Sequence, residues 1–414
     1  MEILEIKKPE EKKKRARALL LFSGGLDSIL AGKLLEEQDV EILALTFRSQ
    51  FFGAGEAIRS AGELGWPLVV VDISPEQIEI VENPRYGYGR QLNPCIDCHG
   101  QMVRIAGQLL ERYQADFVAT GEVAGERPKS QNRQALGLVE KLSGIKGLVL
   151  RPLSARLLPA TIPEERGLVD RNRLLDIFGR SRKKQLELAE RYGLKEYPTP
   201  AGGCLLTDPG FTVRARQLMK WRGKLWPEDI ELIKTGRVFF EPDGLIVVGR
   251  DERENEKIAG IAGETDILIT TAGAKGPLAA VRLKEASQLA ADSRVGVSAG
   301  REAGKGEIDK TWSESLPGPG PRTPLEDPSA SSGRGAELAR IVRRVQDGII
   351  RPEKPCPGSV GAGIVSHEAV RKAGLLVIRY SRRARLKGRA SVAVFCGGLV
   401  FELEFQKADW EKYL

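Results

Sequence analysis

The feature that most constrains this chain is an apolar run, Leu19-Leu20-Leu21-Phe22, that breaks into Ser23-Gly24-Gly25-Leu26-Asp27-Ser28. Apolar positions then recur at helical spacing through Ile29, Leu30, Leu34 and Leu35. The order predicts a buried strand, a glycine turn and a helix start. Glycine admits positive φ and lets the backbone approach a bound group closely. The first N–H groups of a helix have no intrahelical partner and favour an anion. Ser23, Gly24, Gly25, Asp27 and Ser28 therefore read as a phosphate cradle. They lack the Lys-Ser/Thr ending of a Walker loop, so the cradle is of another kind. The plainer alternative is a strand-to-helix turn capped by Ser and Asp.

The chain beyond Ser28 keeps the same rhythm. Val40–Phe47 and Pro67–Ile73 read as further buried strands, Ala54–Gly65 as a helix, Gln101–Tyr113 as a helix, and Asp116–Thr120 as a strand. A helix over Leu136–Leu142 and a short strand over Leu148–Leu153 complete the series. Strands alternating with helices predict an α/β fold with a doubly wound parallel sheet. Ligands of such sheets bind beyond the carboxyl ends of the strands, where the glycine turn lies. The pattern changes after Trp226. Arg237–Val248 reads as a hairpin turning at Asp243-Gly244, a strong turn signal. Asp266–Thr270, Leu278–Arg282, Leu375–Arg379, Ala390–Val394 and Leu399–Phe405 read as short strands, with helices from Gly249 and over Ala336–Val345. The stretch 296–335 is Gly, Ser, Pro and charge without apolar periodicity, as in disordered segments. The expected division is a charged leader (1–17), an α/β domain (18–222), a smaller α+β domain (223–295 and 336–414) and a disordered insertion (296–335).

A net charge of +8 suits an anionic partner such as RNA. The mixed-charge start, Met1–Lys14, has neither the apolar stretch of a signal peptide nor that of a membrane span. The expected setting is cytoplasmic and reducing, with no membrane partner. Clustered cysteines in such a setting point to metal or catalysis more than to disulfides.

Five cysteines occur, and three of them form a constellation: Cys95-x-x-Cys98 beside Pro94, and Cys204 behind Gly202-Gly203. All three are expected on loops. Three chemistries compete. One is a three-Cys iron–sulfur site with one iron lacking a protein ligand. A second is redox or persulfide chemistry between Cys98 and Cys204. A third is zinc held by the three thiols and His99. Cys95-Ile96-Asp97-Cys98-His99 also matches the haem-attachment spelling, which without an export signal is read as coincidence. Cys356 and Cys396 have no partners at motif spacing and read as structural, and His367 reads as an ordinary surface or capping residue.

Ser-Gly-Gly-x-Asp-Ser resembles the PP-loop of ATP pyrophosphatases, which implies cleavage of ATP between its α and β phosphates. Ser23–Ser28, Asn93–Cys98, Ala119-Thr120-Gly121 and Cys204 fall in the order seen in PP-loop tRNA thiolation enzymes, and the fold this implies is of the HUP/PP-loop type. The 2-thiouridylases of that group carry Asn-Pro-x-x-x-Cys-Asn, then Ala-Thr-Gly-His, then a second catalytic Cys. On this pattern Cys98 matches the first catalytic thiol and Cys204 the second. Here His99 stands for the Asn, Glu122 for the His, and Cys95 is additional. A Cys-x-x-Cys plus a lone Cys looks like the set that binds a [4Fe-4S] cluster in iron–sulfur-dependent tRNA thiolases. The second half, from Gly249-Arg250 to Asn255 and on to Gly276-Pro277-Leu278-Ala279, resembles the RNA-binding domain of NFACT-type proteins. A basic tract, Arg371, Lys372, Arg379, Arg382, Arg383, Arg385, Lys387 and Arg389, suits phosphates.

The resemblance implies an ATP-dependent tRNA sulfurtransferase using ATP, Mg²⁺ oriented by Asp27, and a cluster or zinc on Cys95, Cys98 and Cys204. Its partners would be tRNA and a sulfur-donor protein or free sulfide, and oligomeric state is not set. Arg127, Lys129, Arg151, Arg180, Arg182 and Lys183 are candidate contacts to phosphate. The rival readings are a PP-loop ligase forming an amide or nitrile, with a zinc site, and a non-catalytic RNA-binding adaptor.

Overall fold

The computed structural model describes residues 2–6, 14–194, 197, 203–284, 333–347, 367–381, 389–396, 399–406 and 409. They form two compact units, Met1–Thr212 and Val213–Leu414.

The first unit is a six-stranded sheet in the order β1-β4-β3-β2-β5-β6. Its strands are β1 (Glu2–Glu5), β2 (Ala16–Leu21), β3 (Val40–Arg48), β4 (Leu68–Asp72), β5 (Phe117–Thr120) and β6 (Val149–Leu150). All neighbours are parallel except β1, which runs antiparallel to β4, with Ile3 opposite Val71. The sheet is thus mixed rather than wholly parallel. The expected charged leader is not all leader: Glu2–Glu5 forms the edge strand, its Ile3 and Leu4 packing inward between two acidic residues.

Strands buried on both faces need helices on both faces. Along β2 and β3, Ala18, Leu20, Ile42 and Ala44 join a core with α1 (Leu26–Glu36) and α2 (Gly55–Leu64). Leu19, Leu43, Leu45 and Phe47 face the other way, onto Ile105, Ala106 and Leu109 of α4 (Cys95–Leu109). Helix α3 (Ser74–Glu82) precedes α4, and α5 (Arg133–Ser143) packs against it. The short α6 (Ile162–Glu165) and α7 (Lys183–Arg191) complete the unit, and Ala189 of α7 enters the first core. The chain leaves β2 toward β3 and β4 on one side and later returns to place β5 on the other. The order therefore reverses between β2 and β5, and a crevice at such a point is where open α/β sheets bind ligands.

Helix α8 (Pro209–Arg222) crosses from the first unit to the second. After α9 (Pro227–Ile233) come β7 (Arg237–Phe240), β8 (Gly244–Val248), α10 (Glu252–Ile261), β9 (Ile267–Thr271), β10 (Leu278–Leu283), the helices Gly333–Gln346 and Glu368–Tyr380, β11 (Arg389–Cys396) and β12 (Leu399–Gln406). These strands make a second sheet in the order β12-β11-β9-β10-β8-β7, antiparallel throughout. The expected strand at Leu375–Arg379 is instead the end of the helix Glu368–Tyr380. Val370, Ala373, Leu376 and Val377 sit at helical spacing and are buried on the sheet, and a short apolar run does not distinguish the two states by itself. Of the expected insertion 296–335, residues 333–335 already belong to the helix Gly333–Gln346, and the rest lies outside the described residues. Cys356, Arg382, Arg383, Arg385 and Lys387 also lie outside them. Among the described residues no helix is long and apolar enough to cross a membrane.

Candidate active site

The cradle sits at the β2/β5 reversal. Gly24 has φ +77°, and a Cβ there would lie 2.5 Å from the Glu56 carbonyl oxygen, so only glycine fits. Ser60 Oγ fixes the turn by donating to the Gly24 carbonyl at 3.1 Å. Gly25 is the N-cap of α1 and offers no side-chain cap, so the first N–H groups of α1 are left to a ligand. Ser28 Oγ donates to the Gly25 carbonyl at 2.8 Å, while Ser23 is exposed and its Oγ accepts from Gly25 N at 3.3 Å. Gly121, at the end of β5, packs so closely that a Cβ would lie 2.5 Å from Ser28 N. The Ala119-Thr120-Gly121 stretch is thus pressed against the helix start.

Asp27, in the first turn of α1, has a buried Oδ1 with no hydrogen-bond partner. Burial raises its pKa, against the guanidinium groups of Arg182 and Arg127 and the amide of the fully buried Gln185 on α7. Glu126 beside it is raised too, by burial and by Asp27's charge. Two carboxylates and two guanidinium groups therefore share one edge of the cradle. Neither Glu126 nor Gln185 stands out in sequence; the fold alone brings them there.

Cys95 and Cys98 lie on the first turn of α4, not on the expected loop. Pro94 is its N-cap, Cys98 N bonds the Pro94 carbonyl at 2.9 Å, and the Asp97 carboxylate accepts from Arg85 N and Tyr86 N at 3.2 and 3.1 Å. An Asn-Pro pair followed by an acidic residue in the first turn is a helix start. Asn93 Nδ2 donates to Cys95 Sγ and Cys98 Sγ donates to Gln77 Oε1, each at 3.2 Å. The segment holding Cys204 is tied alongside: Leu92 N donates to Leu206 O at 3.2 Å and Leu205 N to Phe51 O at 2.9 Å. Residues 198–202 of the expected Pro-Gly loop lie outside the described residues.

The three thiols feel one another. Burial raises the pKa of Cys98, and the charges of Cys204 and Cys95 raise it further. Cys204 is pushed up to about 11, chiefly by burial, with Cys95 adding to it and the Leu206 backbone and Arg127 opposing. The charge of Arg127 reaches both Cys204 and Asp27, as the smallest of the effects on each. Among the described residues no three Cys, His, Asp or Glu side chains are gathered tightly enough to hold a metal ion as they stand.

The two residues that depart from the thiolase pattern contact each other. His99 Nδ1 and Glu122 Oε1 are 2.9 Å apart, and Glu122 Oε2 accepts from Arg151 Nε at 3.0 Å. Burial opposes ionisation of Glu122, but Arg151 and His99 hold its carboxyl down at about 2. Arg151 is 4% exposed, so it is not a surface charge; it serves this buried pair through Nε and keeps a buried Nη2 without a partner. Lys129 Nζ donates to the Tyr86 carbonyl at 3.1 Å, while Arg180 and Lys183 are exposed.

In the second unit a cavity of about 580 Å³ opens at the Gly249–Asn255 corner, with Arg237, Arg250, Arg343 and Tyr380 in its wall. Asn255 builds this corner by accepting from Leu278 N at 2.9 Å. Arg250 is paired with Glu254, and Arg343 with Glu252 and Glu256. Of the basic tract, Lys372 pairs with Glu241 and Arg371 lies over the Phe405 ring.

Residues 14–156 match the family described as thiamine biosynthesis protein (ThiI). The chain is similar to the tRNA-specific 2-thiouridylase MnmA of Cytophaga hutchinsonii, at 29% identity over 141 residues, 28% of this chain and 37% of that one. It is similar to the enzyme of the same name from Amoebophilus asiaticus at 26% identity over 261 residues, 56% of this chain and 63% of that one. The chain thus spans between about a third and two thirds of the length of these relatives. A solved 4-thiouridine synthetase–RNA complex with bound ATP aligns with a TM-score of 0.30 and 23% identity, over 49% of this chain and 50% of that one.

Proposed function

We propose that this chain is an ATP-dependent tRNA sulfurtransferase that thiolates a uridine through an adenylated intermediate. The observation that carries the reading is the uncapped start of α1 behind the Gly24 turn at the β2/β5 reversal. It lies in the same unit as the Cys95–Cys98 turn and the Cys204 segment tied to it through Leu92 and Leu206. The charge of Arg127 reaches weakly to both Asp27 and Cys204. Phosphate activation and sulfur delivery would then share one crevice. The ThiI match, over residues 14–156 of the first unit, and the thiouridylase relatives support the same chemistry.

In this reading the open N–H groups of α1 and the Ser23 hydroxyl bind the β and γ phosphates of ATP. Arg127 and Arg182 offset their charge. A uridine carbonyl oxygen attacks the α-phosphorus, pyrophosphate leaves, and the uracil N3 proton is lost, giving a neutral O-adenylyl uridine. Sulfide then adds at the activated carbon and AMP leaves; the sulfur's proton moves to N3, giving the thiocarbonyl. Asp27, whose buried Oδ1 lacks a partner, is the residue that would hold Mg²⁺. Cys95, Cys98 and Cys204 are the residues that would hold a [4Fe-4S] cluster, once drawn closer together than they stand, and the cluster would supply a binding point for sulfide. Their soft donors suit iron. With zinc the same three thiols would serve structure; with neither, Cys98 would receive the outer sulfur of a donor protein's persulfide, the donor leaving as its thiolate, and Cys204 would release that sulfur as sulfide by forming a Cys98–Cys204 disulfide that a thiol reductant reopens.

Pyrophosphate release with and without unmodified tRNA tests the function. The expected result is release stimulated by tRNA and sulfur incorporated into it. Release without any tRNA response would favour a PP-loop ligase with another acceptor. Binding of tRNA without release would favour an adaptor.

A further inference from the structure

Phe178 is 63% exposed, far more than a large apolar side chain in a packed unit needs to be. Scattered exposed apolar residues are ordinary, but this one is built into place. Its predecessor Ile177 is buried and donates its N–H to the Leu153 carbonyl at 2.9 Å. Its successor Gly179 donates to the Ala124 carbonyl at 2.8 Å, and Phe178 bridges Ala124 in parallel. Gly125 lies under the ring with φ +80°, and a Cβ there would come within 2.9 Å of the ring's Cε2 and Cζ. The backbone is pinned on both sides of the ring, and the floor beneath it is a glycine.

Charged residues follow in sequence on both arms of chain, one acid among the guanidinium groups. Glu126 and Arg127 follow Gly125, and Arg127 acts on Asp27 and Cys204. Arg180 and Arg182 follow Gly179, and Arg182 acts on Asp27 as well. An open aromatic face between guanidinium groups matches a nucleic-acid strand, which pairs each base with a phosphate. A rigid ring loses little entropy on stacking, and every base offers a π-face.

We propose that Phe178 is a stacking platform for a base of the substrate RNA at the mouth of the crevice, with Arg127 and Arg180 meeting the adjoining phosphates. The proposal rests on the tRNA reading above. Phe178 stands outside the cradle that takes the phosphates of ATP, on an exposed rim that a longer strand reaches.

The test uses the full-length chain and unmodified tRNA at one fixed salt concentration. Affinities for tRNA and for ATP are measured separately for the unaltered protein, Phe178→Ala, Phe178→Leu and Phe178→Trp. Phe178→Leu keeps apolar packing on Gly125 but has no π-face, so it guards against a folding defect in Phe178→Ala. Both Ala and Leu are expected to weaken tRNA binding roughly tenfold, the scale of one lost base stack. Phe178→Trp should stay within about threefold of the unaltered protein, since a larger ring still stacks. ATP affinity and thermal midpoint should hold in all three. Equal tRNA affinities, or Leu binding as well as Trp, would overturn the proposal. A loss of ATP affinity in place of tRNA affinity would assign the ring to adenine and overturn it too. An unaltered protein that binds no tRNA would sink the tRNA reading and this proposal together, whereas tRNA binding indifferent to Phe178 would sink this proposal alone.

Discussion

At the scale of single residues, the cradle's demands are steric and electrostatic. Gly24→Ala places a Cβ against the Glu56 carbonyl at positive φ, which costs about 1–3 kcal/mol of stability. Pyrophosphate release should fall further than that loss explains, because the turn that aims the α1 N–H groups must shift; release assays beside thermal melts will show it. Glu122 supplies a pH signature. Its folded carboxyl is held at about 2, below its ordinary 4.5. A depressed carboxylate stabilises the fold above its unfolded value, and that contribution drains away as pH falls from about 4.5 through 2. Glu122→Gln should flatten the stability profile in that window. At neutral pH it should cost about 3–5 kcal/mol, because Arg151 stays buried without its counter-charge; denaturant titrations across pH measure both effects. Cys204 offers a third check. With its pKa pushed up to about 11 against an ordinary 9.0, metal-free protein at pH 8 should alkylate there about tenfold more slowly than a free thiol, the smaller thiolate fraction being partly offset by the greater nucleophilicity of a high-pKa thiolate, as mass spectrometry of timed samples would reveal.

At the scale of elements, α4 sets the thiols. Gly100 lets it sit close to α5: a Cβ there would lie 2.7 Å from Leu142, and Gly107 repeats the approach against Ile145. Gly100→Val should overpack this contact by about 1–3 kcal/mol and tilt the turn bearing Cys95 and Cys98. Sulfur transfer should then drop while ATP affinity, set across the sheet by α1, holds. Element by element, legibility followed range. The β2–Ser23–Ser28–α1 unit could be read because strand, glycine turn and helix start are contiguous. The Asp243-Gly244 hairpin was legible for the same reason. Glu2–Glu5 was not, because four residues flanked by charge show no period until β4 pairs with them. The burial of Arg151 was not legible because its partner Glu122 lies 29 positions away and nothing in either neighbourhood signals the pairing. The thiols were visible as residue types, but that Cys204 would be tied beside α4 through Leu206 and Leu92 depends on the completed fold.

At the scale of the whole molecule, charge and division matter most. With a net charge of +8, tRNA affinity should fall steeply with salt, each phosphate contact contributing a log–log slope of about −0.7 to −0.9. Arg180→Gln should lower that slope by roughly one contact, which binding isotherms at several salt concentrations can resolve. The cradle, the three cysteines, the His99–Glu122–Arg151 chain and Phe178 all belong to the unit Met1–Thr212. The second unit contributes its own sheet, its own core and the buried Arg282 bridge to Asp229 and Asp266. Every residue given a part in the proposed chemistry thus lies in one of the two units. If the proposed chemistry resides in this unit, exchange of the trailing half during descent would leave every residue assigned to it in place.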